Sequence, residues 1–187
     1  MKTARLSMVA SAMFSGFAGG FAQADQGTVD RISQFGLNYA IKDNHAALNG
    51  VDCAKLGADW GSCNKAVVTL TNPGEAVTGK DWAIYFHSIR RVLDVANPQF
   101  QVTHVMGDLH KLEPTESFTG FPGRASAEIP IINEYWLLTM SDVLPRWYVS
   151  AEGVTAKTIA STDTEDLSQF VSPIDGELWK RTPDDNN

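Results

Sequence analysis

Beyond residue 36 the chain alternates apolar and polar positions with a period of two, the period of a half-buried β-strand. Leu37, Tyr39 and Ile41 fall on one face of residues 37–42. Residues 65–71, Lys-Ala-Val-Val-Thr-Leu-Thr, are rich in β-branched side chains and stop at the turn sequence Asn72-Pro73-Gly74. Trp82, Ile84 and Phe86 share a face of residues 81–87, and residues 99–105 alternate up to a turn at Gly107-Asp108. Ala127, Ile129 and Ile131 point inward from residues 127–131, with Pro130 expected at an edge or a bulge. Residues 146–151 and 155–159 supply the last two candidate strands. Many short strands separated by Gly, Pro, Asn and Asp turns predict an all-β fold, an antiparallel β-sandwich with little helix. No strand–helix alternation is present, which argues against a doubly wound α/β fold. A short helical turn is expected only within residues 136–144, before Pro145.

The two ends follow other patterns. Lys2 and Arg5 precede an uncharged stretch, residues 6–22, rich in Ala, Gly, Phe and Met, which closes at Ala22-Gln23-Ala24. That is the layout of a secretory signal peptide cleaved after Ala24, which implies a periplasmic or secreted protein. At the other end, residues 161–187 are polar and acidic, broken by Pro173, Gly176 and Pro183, and read as linker or tail. The sandwich is therefore expected over residues 25–160.

Export changes the meaning of Cys53 and Cys63, the two cysteines of the chain. In an oxidising compartment an isolated pair is a disulfide before it is a metal or redox site. Closing so short a loop is worth roughly 3 kcal/mol in the chain-entropy picture. The net charge of −7, with no basic stripe, argues against a nucleic-acid partner and against anionic membrane surfaces. No later segment approaches the roughly 18 apolar residues of a spanning helix.

Catalytic signatures are missing. There is no G-x-S-x-G elbow, H-E-x-x-H, Walker loop or G-x-G-x-x-G in the sequence. His104 and His110 bracket the Gly107-Asp108 turn, and a hairpin there could gather them with Asp108, but polar residues at a hairpin tip explain them without a metal. The acidic run of residues 163–166 lacks the D-x-D-x-D-G spacing of a calcium loop. No metal, cofactor or catalytic residue is assigned.

The aromatic residues say more. Tyr and Trp offer flat apolar faces with polar edges, which suit the C–H faces of sugar rings. Alternation sends Trp82 and Trp147 into the core. It leaves Tyr85 with His87, and Tyr148 with Arg146 and Ser150, on the opposite face. Trp60 sits in the Cys53–Cys63 loop, where a rigid tip could display it. Trp60, Tyr85 and Tyr148 are the candidate carbohydrate contacts, although ordinary partial burial explains each of them as well.

Several segments in order resemble one family. They are Asp81-Trp-Ala-Ile-Tyr-Phe-His-Ser-Ile-Arg90, Val92-Leu93, Asn97-Pro98, Thr103-His104, Gly107-Asp-Leu-His-Lys-Leu-Glu-Pro114, Glu134-Tyr-Trp136 and Ile159-Ala-Ser-Thr-Asp-Thr-Glu165. Arg146-Trp147-Tyr148 stands where that family commonly has Asn-Trp-Tyr. Over residues 28–183 the chain resembles the N-terminal domain of bacterial chitobiases, exo-β-N-acetylhexosaminidases of glycoside hydrolase family 20. The resemblance implies a sandwich similar to cellulose-binding modules that holds chitin or N-acetylglucosamine oligosaccharides. It also implies a possible partner in the catalytic domain of a chitobiase, on which the domain could alternatively pack without any ligand of its own. The family's catalysis uses an adjacent Asp-Glu pair, and no Asp is followed by Glu in this sequence, so no catalytic residue carries over. The expectation is a truncated gene product or a free-standing binding module.

Overall fold

The computed structural model describes residues 26–43, 50–135, 143 and 146–159, together with the backbone of three short strands between residues 161 and 179. The expected signal segment of residues 1–24, residues 136–142 and 144 of the expected helical turn and most of residues 161–187 lie outside the described residues.

The chain enters through α1 (Gln26–Ile32), a short helix the β-period did not announce, which buries Val29 and Ile32 one turn apart. Then follow β1 (Gly36–Asp43), β2 (Cys63–Asn72), β3 (Ala83–His87), β4 (Val92–Val95), β5 (Phe100–Met106), β6 (Leu109–Pro114), β7 (Ala125–Glu134), β8 (Tyr148–Ser150), β9 (Lys157–Thr158) and β10 (Ser161–Asp163). A small hairpin of β11 (Phe170–Val171) and β12 (Leu178–Trp179) comes last. One five-stranded sheet has the order β10-β1-β2-β7-β4 and the other β5-β6-β3-β8-β9. Pairing within the two five-stranded sheets is antiparallel apart from β1 with β10, which is parallel. Residues 161–163 thus form sheet inside the segment whose composition reads as linker, because Gly36–Asn38 offers them an open strand edge.

The inward faces match the alternation. Leu37, Tyr39, Val68, Leu70, Ile129 and Ile131 from the first sheet meet Ile84, Phe86, Leu112, Trp147 and Val149 from the second in one core. Each such side chain contributes roughly 1.5–3 kcal/mol of transfer free energy. Trp82, Phe100, Phe118 and Phe121 pack ring on ring as an aromatic cluster in the same core. Next to them the Val77–Phe121 bridge needs a glycine. Gly120 has φ +106°, and a Cβ there would lie 2.9 Å from the Val77 carbonyl oxygen. Two buried asparagines are bonded to each other and to their surroundings: Asn133 donates to the Tyr39 hydroxyl and to Asn64 Oδ1, each at 3.0 Å, and Asn64 donates to the Tyr135 carbonyl at 2.8 Å.

Three details depart from the pattern. Pro130 lies in an interior strand, β7, not at a sheet edge, and its pairing with β2 runs without a register shift. Its carbonyl accepts from Ala96 N just past the last β4 pair, so the missing N–H points where β4 runs out. In β5 Phe100 alone is buried, and Val105 and Met106 are exposed at the hairpin tip. Finally, β4 and β6 are strands that alternation alone did not mark. The Cys53–Cys63 disulfide is formed, with a Cα–Cα distance of 5.6 Å. It nucleates a small second core with Ala58 and Ile132.

Candidate functional site

The pleat of β3 and β8 decides which aromatics reach the surface. Ile84 and Phe86 face inward from β3 and Val149 from β8, so Tyr85 and Tyr148 must face outward. The two are directly opposite each other in the β3–β8 ladder. Their rings are parallel to within 5°, with centroids 5.1 Å apart. At that separation parallel rings must be stacked rather than side by side, so each covers one face of its partner and keeps the other. Both side chains are half-buried.

The stack sits in a row that crosses the whole second sheet. Register aligns Thr103 of β5, Lys111 of β6, Tyr85, Tyr148 and Thr158 of β9. With strands about 4.8 Å apart, the row is close to 20 Å long. Beside it, Glu113 is bonded by Lys111 Nζ at 2.7 Å, by Gln101 Nε2 at 3.0 Å and by Thr103 Oγ1 at 3.3 Å. Burial pushes the Glu113 carboxyl up, but these donors outweigh it and hold it below the usual carboxylate range. The face therefore combines an aromatic stack with a fixed, ionised acceptor network, the two kinds of group that hold a sugar ring.

Trp60 is not part of this face. It is 82% exposed on the disulfide loop and lines a separate concavity of about 190 Å³ with Ile89, Arg90, Glu134 and Tyr135. Arg91 ties that corner together through the Gly57 carbonyl at 2.7 Å and Glu134 at 3.0 Å. The structure thus brings Tyr85 and Tyr148 together and leaves Trp60 apart. The polar neighbours of the stack that alternation did not name, Lys111 and Glu113, lie on β6. The signal for them is the hairpin at Gly107-Asp108, which fixes the register of Lys111 against Tyr85.

The histidines at that hairpin do pair: His104 lies opposite His110, with ring centroids 5.2 Å apart. His110 is buried, stacked on Phe86, and its Nδ1 donates to the Asp108 carbonyl at 3.0 Å. Burial lowers its pKa and keeps it neutral. His87 Nδ1 meets Asp108 Oδ1 at 3.0 Å, and this bond holds the Asp108 carboxyl below its ordinary value. Among the described residues no three His, Cys, Asp or Glu side chains gather closely enough to hold a metal ion.

Comparison with known proteins gives a consistent picture. Residues 34–187 match a family model described as "Putative carbohydrate binding domain". The chain is 46% identical over 184 residues to N,N'-diacetylchitobiase of Vibrio harveyi, covering 97% of this chain and 21% of that protein. It is 32% identical over 164 residues to a β-hexosaminidase of Vibrio vulnificus, covering 81% and 19%. The chain therefore spans about a fifth of the length of these curated relatives. Among solved structures, the GH20 exo-β-N-acetylglucosaminidase of Vibrio harveyi in complex with N-acetylglucosamine aligns with a TM-score of 0.51 at 11% identity, over 80% of this chain and 19% of that one. At that identity the likeness speaks for the fold alone.

Proposed function

The chain belongs to the family of carbohydrate-binding domains found in chitobiases, and on that premise we propose that it binds chitin or N-acetylglucosamine oligosaccharides on the outer face of its second sheet. The observation that carries this reading is the parallel Tyr85–Tyr148 stack at the centre of a polar row. A β-linked sugar chain lies across the strands, along the row. A pyranose ring stacks on the uncovered face of either tyrosine, while Lys111, Glu113 and the threonine hydroxyls serve its hydroxyl groups. Trp60 is a separate contact, independent of the row. The chain is exported, with residues 1–24 as signal, and delivers a catalytic domain of the kind its relatives carry to insoluble substrate. Among the described residues no helix is long and apolar enough to cross a membrane.

Retention on chitin beads tests the assignment. Tyr85→Ala and Tyr148→Ala should each lower retention about tenfold, the loss of one ring's stacking. Trp60→Ala should lower it less. Retention that survives both tyrosine changes and vanishes with Trp60→Ala would move the site to the disulfide loop. No retention of the parent protein would refute sugar binding.

One observation favours a second reading, in which the domain packs on a catalytic domain without a ligand of its own. Trp60 and Ile89, 82% and 56% exposed, lie side by side around the smaller concavity. That reading expects Trp60→Ala with Ile89→Ser to improve solubility of the isolated chain, and expects the parent chain to show no retention on chitin.

A further inference from the structure

The tyrosine stack separates two shallow grooves whose charges differ. The groove on the Tyr85 side, about 570 Å³, is lined by Lys80, Asp81, Lys111, Glu113 and Glu152. Both of its lysines are neutralised, Lys80 by Glu116 at 2.6 Å and Lys111 by Glu113 at 2.7 Å, so Asp81 and Glu152 set its sign. The groove on the Tyr148 side, about 450 Å³, has His87, Arg146, Lys157 and Thr158 along its wall and no carboxylate. Lys157 is neutralised by Asp30 at 2.8 Å, and His87 is held by Asp108 at 3.0 Å. Arg146 is exposed and makes no ion pair among the described residues, which leaves its guanidinium as the uncompensated charge of this groove. A guanidinium carries five N–H donors and no acceptor. It favours a carbonyl or anionic oxygen and opposes an ammonium group.

Resting on the reading of this face as sugar-binding, we infer that Arg146 makes the Tyr148 groove selective for N-acetylated over free-amine hexosamines. A ring stacked on the open face of Tyr148 offers its acetamido carbonyl oxygen to Arg146, whereas a free, protonated amine in the same place meets a like charge. The overall charge of the chain pulls the other way. At −7 it attracts a polycationic, deacetylated oligomer, so the local groove and the whole molecule make opposite predictions.

Calorimetric titration separates the two. The full chain is titrated with β-linked N-acetylglucosamine oligomers and with glucosamine oligomers of equal length, at a pH where the amine is protonated. The readout is the ratio of the two affinities. Arg146→Gln should lower the preference for the acetylated oligomer about threefold and Arg146→Glu about tenfold. Lys55→Glu makes the same charge change on the exposed disulfide loop, where Lys55 pairs with Asp52, and should leave the ratio close to that of the parent. A ratio unmoved by Arg146→Glu, or moved equally by Lys55→Glu, overturns the role of Arg146 while leaving sugar binding in place. Failure of the parent chain to bind either oligomer overturns both readings.

Discussion

Strand β3 and the start of β8, with Trp147 just before it, carry two aromatic stacks back to back. On the inner face Phe86 and Trp147 lie 4.3 Å apart with planes within 8°. On the outer face Tyr85 and Tyr148 lie 5.1 Å apart with planes within 5°. The residues are sequence neighbours, 85 beside 86 and 147 beside 148, and the pleat alone sends them to opposite sides. The inner pair is fully buried under the first sheet, where Trp147 also touches Tyr39. The outer pair is parallel too, with no sheet above it among the described residues. Stacking order is therefore not what sets the proposed binding pair apart. The cover over the stack is what differs, together with a polar rim of Lys111 and Glu113 that no core stack would tolerate.

The largest expected effect lies on the inner face. Trp147→Ala empties the centre of the core and should cost about 3–5 kcal/mol of stability. Chemical denaturation would read this, and Tyr148→Ala one residue away should cost under about half as much. Comparable losses from the two would erase the distinction between the faces. Next in size is the disulfide. Cys53→Ser with Cys63→Ser frees an 11-residue loop and should cost about 2–4 kcal/mol. Chitin retention through the tyrosines should persist at a temperature where the variant is folded, because that loop lies apart from the outer row. Affinity lost along with the bridge would tie the two regions together.

The smallest effect concerns His110, which packs beneath Phe86 at the edge of the inner stack. Its folded pKa lies below its unfolded value of about 6.5, so the unfolded chain binds the extra proton first. Stability is therefore retained above about pH 6.5 and declines as pH falls below it. Replacing His110 with Leu should flatten that part of the profile. Denaturation midpoints at pH 7.5 and 5.5 for the parent and His110→Leu check it, and parallel profiles would show that the neutral buried imidazole is not responsible.

Much of this was legible from the sequence. The alternation of Trp82, Ile84 and Phe86 against Tyr85 and His87 placed each side chain on its proper face, because one face of each strand had to be dry. The bridge of Cys53 to Cys63 was legible from count and spacing. Other features were not. The helix Gln26–Ile32 is too short for its period to stand out, and its apolar residues acquire meaning only through packing on the core. Pro130 argued for an edge, yet β7 tolerates it inside the sheet because β4 ends beside it. The separation of Trp60 from the tyrosines depends on where a loop folds back, against Ile89 and Tyr135, and such long-range placement leaves no local pattern. The register that puts Lys111 next to Tyr85 follows from the hairpin turn, but only once β6 is known to be its second arm.

Everything proposed for this domain turns on whether the outer row of the second sheet holds the sugar. Backbone amide chemical-shift mapping during titration with an N-acetylglucosamine tetramer tests it most directly. Shifts should concentrate on Thr103, Lys111, Tyr85, Tyr148 and Thr158, with the inner Phe86–Trp147 stack quiet. Shifts centred on residues 57–62 around Trp60, or no shifts at saturating tetramer, would contradict it.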